Sequence, residues 1–225
     1  KENLQKAYQP ASVNTKIAAI NGFFTFLGRE DLRVKQLKIQ RRAYCSKEKE
    51  LTRAEYLRLI QAAESRNDGK LALMIQTICG TGIRVSELSS ITAEAVQSGE
   101  AVIYLKGKTR SILIPGKLRK VLSAYMKRLN IVSGPVFITR TGRPVDRSNI
   151  WKMMKSLCTD AHVDPEKVFP HNLRHLFARC FYSIDKDLAK LADILGHSDI
   201  NTTRIYIIST GKEHLRRLDT LDLVV

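Results

Sequence analysis

Apolar residues recur at helical spacing along most of this chain. In "SVNTKIAAINGFFTFL", residues 12–27, Val13, Ile17, Ile20, Phe23 or Phe24, and Leu27 share one face while Lys16 lies on the other, which predicts an amphipathic helix that needs a partner. "KIQRRAYCSKEKE", residues 38–50, is charged and poor in apolar residues, the composition of an interdomain linker, so a division into residues 1–44 and 45–225 is expected. Beyond it, Thr52 and Glu55 have the spacing of a capping box and open a helix in "LTRAEYLRLIQAA". A further helix is expected through "KLALMIQTIC" to a Gly80-Thr81-Gly82 turn, and a short one from Arg84 to about Ile91.

The pattern changes at "AVIYL" and "SILIP", residues 101–105 and 111–115, two β-prone runs joined by the polar "KGKTR"; they predict a hairpin with a basic tip. Helices are expected over 116–130, 147–160, 171–183, 185–195, 200–208 and 212–218, interrupted by a strand, "PVFIT", and the turn "RTGRP". The predicted fold class is mainly α with a small antiparallel β-sheet (α+β).

The 225 residues are 44% hydrophobic, enough to fill the core of one large domain, or of one domain and part of a second. With 38 Lys and Arg against 22 Asp and Glu the net charge is +16, which points to a polyanionic partner, nucleic acid first and an anionic membrane second. The apolar runs fall short of the roughly 20 residues needed to span a bilayer and no signal-peptide pattern opens the chain, so a cytoplasmic location is expected. Residue 1 is Lys, followed at once by helix-like sequence, and the expectation is a fragment whose natural N-terminus lies upstream. Cys45, Cys79, Cys158 and Cys180 are far apart and not clustered with histidines, so buried free thiols are expected rather than a disulfide framework or a zinc site.

Several short stretches carry candidate chemistry. In "GTGIRVSEL", residues 80–88, Arg84 stands directly behind a glycine turn with Glu87 one turn later; the glycines are wrongly spaced for a nucleotide-binding loop. The pair reads either as a surface ion pair worth well under ~1 kcal/mol, or as a planar fork for phosphate oxygens whose carboxylate orients its neighbours. "HNLRH", residues 171–175, follows Pro170 and opens a helix, so His171 and Arg174 share a face and can address one phosphate at a terminus that favours anions. His171 and His175 also have the spacing of a zinc pair, but Asn172 stands where that motif needs Glu, and no third ligand is near. A buried histidine beside a surface arginine is the plain alternative. "LGHSDINTTRIY", residues 195–206, sets His197 ahead of Tyr206 across a polar turn. At the hairpin, Lys106, Lys108 and Arg110 are solvated charges or, beside DNA, groove contacts of which one lysine can protonate a leaving oxygen.

Taken in order, "TGIRVSEL", a hairpin lysine, "PHNLRH" and "LGHSDINTTRIY" resemble the signature blocks of the tyrosine recombinase (phage integrase) family over about residues 52–210. The resemblance implies a site-specific DNA recombinase or integrase, such as that of a mobile element, whose catalytic domain with an exchange tail occupies 45–225. Residues 1–44 would then be the C-terminal part of a helical core-binding domain plus the start of a linker. The implied catalytic residues are Arg84, Lys106, His171, Arg174, His197 and Tyr206, with Lys16, Lys108 and Arg110 as DNA contacts. Tyr206 would attack the scissile phosphate and leave a 3′-phosphotyrosyl link and a free 5′-hydroxyl. Arg84 and Arg174 would hold the non-bridging oxygens, His171 and His197 would add hydrogen bonds or proton transfer, and Lys106 would be the general acid, with Lys108 as the alternative. No metal, cofactor or ATP is implied, since arginines can meet the transition-state charge and rejoining reuses the phosphotyrosyl bond.

The implied partners are double-stranded DNA, a homo-tetramer formed on DNA from a monomer or weak oligomer, and accessory DNA-bending proteins; strands would exchange through a Holliday junction, and no membrane is involved. Leu215, Leu218, Leu221 and Leu223 are expected to dock the C-terminal segment on a neighbouring subunit. A type IB-like topoisomerase and a catalytically inactive DNA-binding regulator are the alternatives.

Overall fold

A computed structural model of the protein describes residues 2–38, 50–105, 108–207 and 220. The chain divides into two compact units, Lys1–Ala43 and Tyr44–Val225.

In the first unit, α1 (Glu2–Ala7) and α2 (Pro10–Phe26) lead through a 3₁₀ turn at Glu30–Leu32 into an extended segment. Pro10 suits the first turn of α2, where its missing N–H costs no helical bond. Asn14 and Asn21 are about two turns apart on one face of α2. The Asn14 amide donates to the Leu37 carbonyl (2.9 Å) and accepts from the Leu37 N–H (2.7 Å); Asn21 does the same to Val34 (2.9 and 2.8 Å). These bonds stand in for the ladder that an extended backbone otherwise finds in a sheet. The expected helix over 12–27 thus begins two residues earlier. Val13 and Ile17 on its apolar face are buried, whereas Ile20, Phe23 and Leu27 are exposed.

The second unit contains α3 (Arg53–Ser65), α4 (Gly69–Thr81), α5 (Ala93–Ser98), β1 (Glu100–Leu105), β2 (Lys108–Leu113), α6 (Gly116–Arg128), α7 (Arg147–Ser156), α8 (Pro170–Ile184), α9 (Leu188–Leu195) and α10 (Ile200–Arg204). The capping box at α3 is formed: the Glu55 N–H donates to Thr52 Oγ1 (3.2 Å) and the Thr52 N–H to the Glu55 carboxylate (2.7 Å). At the centre α4 lies against α3 and α8 and also meets α6 and α7. It buries Leu71, Ala72, Met74, Ile75 and Ile78, as expected of a helix that is apolar nearly all round. The buried Thr77 and Thr81 hydroxyls donate to the carbonyls of Leu73 (2.7 Å) and Thr77 (2.6 Å), so no partner outside the helix is needed.

The two strands pair antiparallel from Glu100↔Leu113 to Leu105↔Lys108. Ala101, Ile103 and Ile112 point into the core while Val102, Tyr104 and Leu113 are exposed, the alternation of a sheet with one covered face.

Several sequence expectations are corrected. Gly80 and Thr81 continue α4, and the reversal is made at Gly82 alone. The stretch after Arg84 is helical, but as a 3₁₀ helix, Val85–Ser90. Helix α5, capped by Thr92 and ended by Gly99 at φ +88°, has six residues, too few for a periodic pattern to announce it. "PVFIT" buries Val136 and Phe137 yet makes only isolated bridges, Thr92↔Pro135 and Ile138↔Pro144, because an apolar run marks burial and not pairing. The second strand begins at Lys108, so Arg110 lies inside β2 opposite Ile103 and not at a hairpin tip. Cys158 is buried and Cys79 partly so, but Cys180 is exposed; Cys45 and residues 212–218 lie outside the described residues.

Candidate active site

The candidate site is assembled where two chain reversals and the start of a helix meet. Gly82 ends α4 at φ +65°, and a Cβ there would overlap the ring of Phe177, so the position favours glycine on both grounds. This reversal presents Arg84. Pro170 opens α8, which carries His171, Arg174 and His175. Gly196 ends α9 at φ +64°, ψ +48°, and is followed by His197; Asp199 then caps α10 by accepting from the Asn201 N–H. A 3₁₀ turn continues α10 and carries Tyr206.

Guanidinium groups converge on the C-terminus of α9. The Leu195 carbonyl accepts from both Arg110 and Arg174, the latter at 2.7 Å, and the Gly196 carbonyl accepts from Arg84 at 3.2 Å. Cations suit this end, where unpaired carbonyls carry the negative pole of the helix. Glu87 is 5% exposed and ties two of the arginines together: it accepts from Arg84 Nη1 (2.9 Å), from the Arg84 backbone N–H (3.0 Å) and from Arg110 Nη2 (2.6 Å). The Arg84–Glu87 pair is therefore part of a network around a buried carboxylate, with Arg84 itself partly exposed, and not an isolated surface ion pair.

Arg174 is 2% exposed and bonds to neutral acceptors, the carbonyls of Gly82 and Leu195 and, at 2.8 Å, His197 Nε2. Burial first, and Arg84 next, bring its guanidinium down to about 10, with a hydrogen bond to Tyr206 acting the other way; it remains cationic at pH 7. Burial also lowers Arg110, against the pull of Glu87.

Tyr206 is buried among three imidazoles. Its hydroxyl lies 3.5 Å from His171 Nε2; its ring meets His175 edge-on at 4.8 Å between centroids and stacks on His197 at 5.6 Å. Burial, then Arg174, Arg84, Arg110 and His171, pushes His197 down to about 4. Burial, then Arg179 and His171, holds His175 at about 4. His171, open to solvent along one edge, is lowered by partial burial and by Arg174 and Arg84. All three rings are neutral at pH 7. His197 Nδ1 is 2.7 Å from Thr203 Oγ1. Beside this cluster a cleft of about 610 Å³ is lined by Arg84, Thr109, Arg110, Asp193, His197 and Ser198, among others.

The structure brings together Arg84, His171, Arg174, His197 and Tyr206. Lys106 lies outside the described residues. Lys108 opens β2, and Lys16 belongs to the first unit, where its ammonium sits 4.5 Å over the Tyr8 ring. Arg110, expected as a DNA contact, turns its guanidinium to Glu87 and Leu195 and also lines the cleft. Two further residues join the cluster: His175, which the sequence marks only through its zinc-like spacing, and Thr203. The i, i+4 spacing of His171 and His175 was the available signal for a shared tyrosine contact; Thr203 gave none.

The mainly helical unit with its small hairpin has the fold of tyrosine recombinase catalytic domains. The crystal structure of XerA recombinase is similar over 99% of this chain and 79% of that chain, with 28% identity and a TM-score of 0.65. XerH site-specific recombinase in its post-cleavage complex with palindromic difH substrate is similar in fold at 20% identity and a TM-score of 0.74, over 95% of this chain and 65% of that one. The tyrosine recombinase XerC of Erythrobacter litoralis (strain HTCC2594) is 32% identical over 212 residues, 88% of this chain and 68% of its own length. The phage integrase family model matches residues 49–213, and the chain belongs to that family, whose members cleave and rejoin DNA strands.

Proposed function

We propose that this recombinase cuts double-stranded DNA with Tyr206 as nucleophile. The observation that carries the reading is the Tyr206 hydroxyl 3.5 Å from the neutral His171 Nε2, in the cluster that buries Arg174. A tyrosine hydroxyl, with a reference pKa of about 10, is a weak nucleophile at neutral pH. A neutral imidazole at this distance can accept its proton as the oxygen attacks. The oxygen attacks the scissile phosphorus; the bond to the 5′-oxygen breaks, and that oxygen takes a proton from Lys106. Arg84 and Arg174 meet the extra charge on the equatorial oxygens, where a preorganised cation in a site shielded from water is most effective. The 3′-phosphotyrosyl bond is then attacked by a 5′-hydroxyl in the reverse sequence, without ATP.

The same reading assigns DNA contacts to Lys16 and Lys108 and a clamping role to the first unit. A +16 chain held by phosphates should lose affinity steeply with salt. A tetramer on DNA exchanging strands through a Holliday junction, with accessory DNA-bending proteins, completes the proposal, and a cytoplasmic location follows from the substrate.

The test uses duplexes selected from a random pool by binding to this protein, nicked just 3′ of the candidate scissile phosphate, and incubated in EDTA with wild type or Tyr206→Phe. A protein–DNA band that survives denaturation with wild type and is absent from the variant is expected. A band of equal strength from Tyr206→Phe removes Tyr206 from the role.

A further inference from the structure

The hydrogen bonds around His197 determine which of its nitrogens carries the proton. A guanidinium has only N–H donors, so His197 Nε2, 2.8 Å from Arg174 Nη2, is the acceptor. The neutral ring must then carry its hydrogen on Nδ1, and Nδ1 points at Thr203 Oγ1, 2.7 Å away. The ring donates and the hydroxyl accepts. Thr203 is 0% exposed, so water does not compete for this bond, and it sits on α10 three residues before Tyr206, whose ring stacks on His197 with 14° between planes.

We infer that Thr203 is a positioning residue: its hydroxyl holds His197 in the Nδ1–H form with Nε2 accepting from Arg174, which keeps that guanidinium in place for the reacting phosphate. Because Thr203 and Tyr206 belong to one short helical segment, the same bond ties the orientation of this imidazole to the delivery of the nucleophile. A shift of α10 that moved Tyr206 would also release His197. The part concerning phosphate rests on the proposed function; the tautomer assignment stands on the free protein alone.

Thr203→Val replaces the hydroxyl by a methyl of the same size, and Thr203→Ser keeps the acceptor. Two-bond ¹H–¹⁵N spectra of the full chain labelled in histidine, without DNA at pH 7, should show His197 protonated at Nδ1 in wild type and Thr203→Ser, with that signature lost or averaged in Thr203→Val. On the nicked duplexes, covalent-complex formation by Thr203→Val should slow about tenfold or more, the effect of stranding a buried donor, with DNA affinity unchanged and Thr203→Ser near wild type. An Nε2–H signature in wild type overturns the inference, as does a valine variant with wild-type spectrum and rate. If Thr203→Val does not fold, a slow Thr203→Ser variant with an unshifted Nδ1–H signal overturns it equally. Absence of any covalent complex from wild type would sink the functional reading instead, and the spectra would still decide the tautomer.

Discussion

The Glu87 carboxylate holds Arg110 at 2.6 Å, fastening the 3₁₀ helix behind the Gly82 reversal to the second strand of the hairpin. Arg110 reaches on to the Leu195 carbonyl, so one side chain links the hairpin, the Arg84 region and the end of α9. Glu87 thereby fixes Arg84 from below while leaving part of that guanidinium exposed to the cleft.

Replacing Glu87 by Gln should weaken both links. Removing one partner of a buried ion pair costs about 3–5 kcal/mol, and glutamine keeps one acceptor oxygen, so a loss of about 2 kcal/mol is expected in urea unfolding. Covalent-complex formation should fall at least tenfold, because Arg84 and Arg110 then repel without an anion between them. Unchanged stability and rate would show that the network is dispensable.

Gly196→Ala should be among the most damaging small substitutions. Its left-handed backbone costs an L-residue about 1–2 kcal/mol, and the added Cβ would overlap the Arg110 side chain. The expected result is a lowered melting temperature together with loss of cleavage, measured by thermal denaturation and the nicked-duplex assay.

Acid should destabilise the fold before the carboxylates titrate. His175 and His197 are both held near 4, against an ordinary 6.5 in an unfolded chain. Between those values the unfolded chain binds more protons, so stability rises with pH; the contribution is complete above about 6.5 and is lost as pH falls toward 4. Urea midpoints should drop between pH 7 and pH 5, and His175→Gln should show a shallower drop.

Thiol labelling should distinguish the cysteines. Burial pushes the Cys79 thiol up to about 12 and raises Cys158 as well, whereas Cys180 is exposed. Because the thiolate is the reactive form, iodoacetamide at pH 8 should modify Cys180 before Cys79 and Cys158, which should react only in urea. Mass spectrometry of the peptides reads this directly.

What the sequence by itself determined was local. The Thr52–Glu55 capping box closes within four residues, and helical periodicity declares itself within a few turns. The order of the blocks around Arg84, His171, Arg174, His197 and Tyr206 was legible for the same reason: each block is one continuous stretch. Tertiary structure decided what those blocks do to one another. The Arg110–Glu87 bond spans 23 residues of chain and the Arg110–Leu195 bond 85, so no window of sequence contained either. "PVFIT" looked like a strand because burial and β-pairing leave the same apolar trace, and only its neighbours settled which applied. Thr203 fixes a histidine six residues before it because α10 folds back toward α9. A hydroxyl in a polar turn becomes a hydrogen-bond acceptor of consequence only once packing has excluded water from around it.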